Sequence, residues 1–179
     1  IGKSRLVEEL RSWCAQRGAA IAEARSYEAE GAMAYGAAVA WLRSESIAAR
    51  LDRLAPAQLT ELARLLPELL SEVPGLAAPE PLPEDEQRQR LFAAVSRAIL
   101  SAGAPVLLVA EDIQWCDLQT LQLVHYLLRT EPEARLLVAA TVRREDLDVR
   151  DPIGEAVTAL RALGVVTEVA LERLGREET

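Results

Sequence analysis

Residues 106–117 read VLLVAEDIQWCD. The apolar run from Val106 to Ala110 ends in two adjacent acids, Glu111 and Asp112, with Trp115 and a third acid, Asp117, close behind. Unbroken apolarity over a short run suits a central strand of a parallel sheet covered on both faces. Ligands of such sheets sit just beyond the carboxyl ends of the strands, where Glu111 and Asp112 fall. Successive side chains on a strand point opposite ways, so the two acids do not share one task. One can face a hydrated metal ion while the other faces an attacking water.

Working outward, residues 84–102 place Leu91, Phe92, Val95 and Ile99 on one helical face, and Gly103 ends that helix. Residues 118–129 read as a helix that Asp117 can N-cap. Residues 135–141 are a second buried strand leading into TVR, which puts Thr141 and Arg143 two residues apart and on one face. Arg143 is then at a neighbouring strand tip, close to the two acids in the fold. Asp151 and Pro152 open a helix that closes at Gly164, and residues 165–171 are expected to form a last strand.

Towards the N-terminus, residues 19–26 are expected to be a strand, and 27–35 a loop containing Gly31. Residues 39–54 and 56–70 read as helices, with Pro56 at a first helical position and Pro67 kinking or restarting the second. Four prolines between Pro74 and Pro83 mark an irregular crossing loop. The chain opens on IGKS, followed by a helix with Leu6, Val7, Leu10, Trp13 and Cys14 at helical spacing and Gly18 as its stop. Strands alternating with helices in this order predict an α/β sandwich around a parallel sheet.

Composition narrows the function. A length of 179 residues suits one domain with a sizeable core. With one Phe, three Trp and three Tyr, that core is aliphatic. A net charge of −8 argues against direct nucleic-acid contact or an acidic membrane surface, and no apolar run approaches a membrane span. Cys14 and Cys116 show neither disulfide nor metal spacing, which fits a reducing cytoplasm. Among twenty basic residues only Lys3 is a lysine. A compact ammonium inside a tight phosphate loop is a task that arginine does poorly.

Gly2, Lys3 and Ser4 at a helix start are placed to receive phosphate. Lys3 can neutralise β- and γ-phosphate oxygens, and the Ser4 hydroxyl can ligate Mg²⁺. A complete G-x-x-x-x-G-K-[ST] motif would begin before Ile1. The chain therefore reads as a fragment that lacks its first, Walker A strand, and as it stands it is expected to bind ATP weakly or not at all.

The ordered set GKSRLVEEL, YEAEGAMAYGAAVAWLR, RQRLFAAV, EDIQWCD, LLVAATVR and VALERLGREE resembles the STAND-type P-loop ATPases within the wider AAA-like group. The nearest likeness is to the ATPase module of large LuxR-type bacterial transcriptional regulators. The resemblance implies a P-loop NTPase three-layer sandwich with strand order 5-1-4-3-2, spanning residues 1–171, with 172–179 starting the connection to a following domain. It implies that Gly2, Lys3 and Ser4 bind ATP phosphates, and that Ser4 and Glu111 hold Mg²⁺. Asp112 then polarises water, and Arg143 senses the γ-phosphate. Glu111 departs from the commoner Asp, and Asp112 is a shorter base than the usual Glu; both bear on turnover more than on binding.

The resemblance implies a cytoplasmic, ATP-binding and slowly hydrolysing switch whose partners are ATP or ADP, the other domains of its own chain and, on nucleotide binding, further copies of itself. Two alternatives share the fold: a structural or interaction module that no longer hydrolyses, and the same module joined to a cyclase or a Ser/Thr kinase. Trp115 is expected to be a core anchor rather than an adenine platform, and Asp117 a helix cap. His125, without companion ligands, is expected to be no general base, and RREDLDVRD a solvated loop.

Overall fold

The computed structural model describes residues 2–28, 33–146 and 150–171. Their elements in order are α1 (Lys3–Ala15), β1 (Ala20–Arg25), α2 (Gly36–Arg43), α3 (Glu45–Ala48), α4 (Pro56–Leu62), α5 (Leu69–Glu72), α6 (Glu84–Leu100), β2 (Val106–Glu111), α7 (Leu118–Thr130), β3 (Leu136–Ala140) and α8 (Pro152–Ala162). The three strands form one parallel sheet in the order β1-β2-β3. The expected α/β sandwich is present, and the acid-tipped strand is its centre. In register, Leu108 lies between Ala22 and Val138, and Glu111 lies opposite Arg25.

Strand alternation divides the interior in two. Ala20, Ala22 and Ala24 of β1 and Val106, Leu108 and Ala110 of β2 join one large cluster with Trp41, Leu42, Leu62, Val95, Ile99, Leu123 and Leu127. Leu107 and Val109 point the other way, into a small cluster with Val7 and Cys14 of α1. Trp41 is fully buried, and its indole N–H donates to the Val109 carbonyl at 2.9 Å. Both cysteines are buried free thiols, one in each cluster.

Two expectations change, and the expected restart at Pro67 is met. The helix expected over 39–54 is broken at Ser44, whose extended backbone ends α2 and whose hydroxyl donates back to the Trp41 carbonyl at 2.7 Å. The helix expected over 56–70 closes at Leu62 and restarts at Leu69, beyond Pro67. Residues 165–171 form no strand: Val165, Val166, Val169 and Leu171 are exposed, and Glu168 is tied back to Arg161 of α8 at 2.5 Å. In the strand order implied by the resemblance, this segment pairs only with a strand ahead of α1, and none is present among the described residues. Residues 29–32, 147–149 and 172–179, which carry Gly31, part of the solvated loop and the expected connection, lie outside the described residues.

Leu6 and Trp13, expected on the packed face of α1, are about half exposed; α1 instead buries Val7 and Cys14 against Leu107 and Val109. The free edge of β1 is closed by Ser46, whose hydroxyl donates to the Ile21 carbonyl at 2.7 Å. At the other edge, Leu137 of β3 is exposed. No helix among the described residues is long and apolar enough to cross a membrane.

Candidate nucleotide site

The tips of β2 and β3 and the start of α1 converge at one end of the sheet. Gly2 caps α1 with φ 113°, a backbone that an L side chain enters only under strain. No side chain caps this helix start and no acid of α1 itself lies in its first turn, so the nearby negative charge comes from Glu111 across the sheet end. Such an end suits an anion.

Ser4 Oγ donates to Glu111 Oε2 at 3.2 Å across 107 residues of sequence. Adjacent corners of an octahedral Mg²⁺ shell, with bonds of about 2.1 Å, lie about 3 Å apart, so this pair of oxygens fits two neighbouring ligand positions. Among the described residues no cluster of three or more His, Cys, Asp or Glu is arranged to hold a metal ion. A cation at this site would therefore take its remaining ligands from phosphate and water, the usual manner of Mg²⁺. Lys3 Nζ donates to the Val142 carbonyl at 2.7 Å, which parks its ammonium at the tip of β3.

Asp112 is held more tightly than its neighbour. Its φ is 56°, a left-handed conformation that Asp tolerates better than most residues. Its N–H donates to Thr141 Oγ1 at 2.9 Å, and the Ile113 N–H donates to the Thr141 carbonyl at 2.9 Å. Thr141 thus locks the turn that follows β2. The Asp112 carboxylate accepts from Arg25 Nε on Oδ2 at 3.2 Å, while Arg143 Nε lies 3.9 Å from Oδ1. Two guanidinium groups therefore flank this carboxylate. Arg25 itself lies over the Tyr27 ring at 5.5 Å.

Asp117 has a different task. Its buried carboxylate accepts from Thr120 N at 2.8 Å and Thr120 Oγ1 at 2.7 Å, which caps α7 as expected. It also accepts from Tyr35 N at 2.8 Å and Gly36 N at 3.1 Å, so one carboxylate holds the starts of two helices. Trp115 departs from expectation: it is half-buried and lines a cavity of about 370 Å³ with Tyr27, Met33 and Val39. The buried anchors of its segment are Ile113 and Cys116 instead. A larger cavity of about 490 Å³, lined by Leu51, Leu59, Leu66 and Val73, lies among the helices between β1 and α6, away from Lys3 and Glu111.

The structure thus brings Gly2, Lys3, Ser4, Glu111, Asp112 and Arg143 to one end of the sheet. His125 lies in α7, half-buried. Two residues escaped the sequence reading: Arg25, and the buried amide of Gln114, which contacts both Asp112 and Arg143. Arg25 was detectable only through the strand register, which sets it opposite Glu111. Gln114 carries no sequence signal beyond its place between two marked residues.

A parallel sheet flanked by helices, with a lysine, a serine and two acids at its strand tips, defines a P-loop-type nucleotide module. The chain belongs to the AAA ATPase domain family, whose model matches residues 1–139. Neither the curated proteins nor the solved structures supply a match.

Proposed function

We propose that this chain is an ATP-binding, slowly hydrolysing switch module of a cytoplasmic bacterial signalling protein, within the STAND-type branch that includes the LuxR-type regulators. The observation that carries the reading is the 3.2 Å contact between Ser4 Oγ and Glu111 Oε2, with Lys3 Nζ held beside it on the β3 tip. On ATP binding, Lys3 leaves the Val142 carbonyl for phosphate oxygens, and the uncapped start of α1 receives the same charge. Ser4 and Glu111 hold the Mg²⁺, which neutralises phosphate charge when bound. Asp112 orients and deprotonates water, and Arg143 turns from Asp112 to the γ-phosphate. Arg143 and Lys3 are then held differently with ATP and with ADP, which is the difference that a switch transmits to attached domains and to further copies of the chain.

The ion pair between Arg25 and Asp112 favours one second reading, a module that binds ATP without hydrolysing it. While Arg25 donates to Oδ2, that oxygen is a weaker base towards water. Asp112→Asn separates the two readings in the full-length protein. A hydrolysing switch keeps its ATP affinity and loses turnover, whereas a binding-only module shows the same low turnover before and after. Titration with ATP and Mg²⁺ tests the shared premise. No binding by the full-length protein rejects the nucleotide site altogether.

A further inference from the structure

Gln114 follows Asp112 in the 3₁₀ turn Ile113–Trp115 and is 7% exposed. A buried amide has to place one acceptor and two donors. The Arg143 backbone N–H donates to Gln114 Oε1 at 3.2 Å. A backbone N–H only donates, so the oxygen must face Arg143 and the nitrogen must face the other way. Nε2 then stands 3.5 Å from Asp112 Oδ1, at the long limit of a hydrogen bond. The planar amide spans the gap between the tip of β2 and the tip of β3. One residue before Arg143, the Val142 carbonyl accepts from Lys3. A single path therefore runs from the Lys3 ammonium, through residues 142 and 143, across the Gln114 amide, to the Asp112 carboxylate.

We infer that Gln114 is a positioning residue that couples the phosphate-contacting tip of β3 to the aim of the Asp112 carboxylate. The inference rests on the proposed nucleotide reading and deepens it. When Lys3 exchanges the Val142 carbonyl for a phosphate, the backbone at 142 and 143 loses an anchor and is free to shift. Its N–H draws Oε1 along, and the rigid amide carries Nε2 with it. A shift of about half an ångström turns the 3.5 Å contact into a hydrogen bond of ordinary length. Nε2 then fixes Oδ1, and Oδ2 is the oxygen presented to water once Arg25 releases it. The carboxylate is aimed only when the β3 tip has registered its ligand.

The test uses the full-length protein and the substitution Gln114→Glu. Glu keeps the size and the acceptor for Arg143 N–H, but it replaces the donor to Asp112 with an oxygen that repels it. Expected are an unchanged Kd for ATP and a kcat about tenfold lower, within the range that misplacing a reacting group produces. Gln114→Met, similar in length and without polar atoms, gives a comparable loss of kcat. In the Asp112→Asn background, Gln114→Glu causes no further loss, because with the base removed there is no carboxylate aim left for residue 114 to set. Unchanged kcat in Gln114→Glu overturns the inference. So do losses that multiply in the double variant, or a fall in thermal stability and ATP affinity together at constant kcat. Titration of the unsubstituted full-length protein separates the two levels. If it binds no ATP, both the proposed function and this inference fail; if it binds and hydrolyses ATP while Gln114 proves indifferent, only the inference fails.

Discussion

The two faces of the sheet are built very differently. One carries α2 and α3 against β1, with α6, α7 and α4 packed beside them, in a continuous core that includes Trp41, Leu42, Leu62, Ile99 and Leu108, each almost wholly buried. The other carries α1 alone, with Val7 and Cys14 against Leu107 and Val109, while Leu6, Trp13 and Leu137 remain exposed around it. Burial drives folding in proportion to apolar area, so the crowded face holds most of the stability. The thin face holds the helix that begins with Lys3 and Ser4. An element with few buried contacts opens at low cost. Among the described residues, the phosphate-binding end is thus held by fewer buried side chains than the opposite face.

Breaking the crowded face should have the largest effect. Trp41→Ala removes a fully buried indole and leaves the Val109 carbonyl of the central strand without its donor. A loss of about 3–5 kcal/mol is expected in chemical denaturation. Trp41→Phe, which keeps most of the volume and drops only the hydrogen bond, should lose about 1–2 kcal/mol. Equal losses for the two would mean that the hydrogen bond, not the packing, is what the residue contributes.

Asp117→Ala should come next, at about 2–3 kcal/mol, because one buried carboxylate serves the first N–H groups of both α2 and α7. Its cap on α7 was legible in the sequence, since an acid directly before a helical pattern is a local signal. Its hold on Tyr35 and Gly36 was not, because that contact spans 82 residues and depends on how α2 packs. The same divide runs through the whole chain. The three described strands and the long helices followed from periodicity and stop signals within each stretch. The meeting of Ser4 with Glu111 was expected from the resemblance to a known family, whereas Arg25 on Asp112 needed the register of two parallel strands. The failure at 165–171 has the same origin: an apolar, β-prone stretch becomes a strand only where a neighbouring edge offers it hydrogen bonds.

The two cysteines report on one face each. Burial, reinforced by the Asp117 charge, pushes the Cys116 thiol up to about 11. A folded-state value raised above the ordinary 9.0 stabilises the fold fully below pH 9, and that contribution is lost as pH rises through about 11. Stability measured from pH 8 to pH 11 should therefore fall across this interval, and Cys116→Ser should flatten the fall. At pH 8 in native buffer, a thiol-alkylating reagent should modify Cys14 well before Cys116. Cys14 becomes reachable whenever α1 lifts, and Cys116 only when the main core opens. Equal labelling rates would remove the distinction between the faces.

The smallest effect is expected for Trp13→Ala, and it is the sharpest test of the thin face because a tryptophan normally ranks among the costliest residues to lose. Here the ring is 54% exposed, and its contact within the helix is the Arg17 guanidinium stacked 3.8 Å from its centre. An exposed cation–π pair contributes about 0.5–1 kcal/mol, and alanine returns a few tenths through its better helix propensity. The net loss should stay near 0.5 kcal/mol, roughly a tenth of the largest loss expected for Trp41→Ala. Denaturant titration of the two single variants under one set of conditions measures the ratio directly. A Trp13 loss approaching that of Trp41 would mean that α1 is packed as firmly as the helices opposite. The nucleotide-binding end would then be part of the rigid frame, and its response to ligand would have to lie in the strand tips around Asp112 and Arg143 alone.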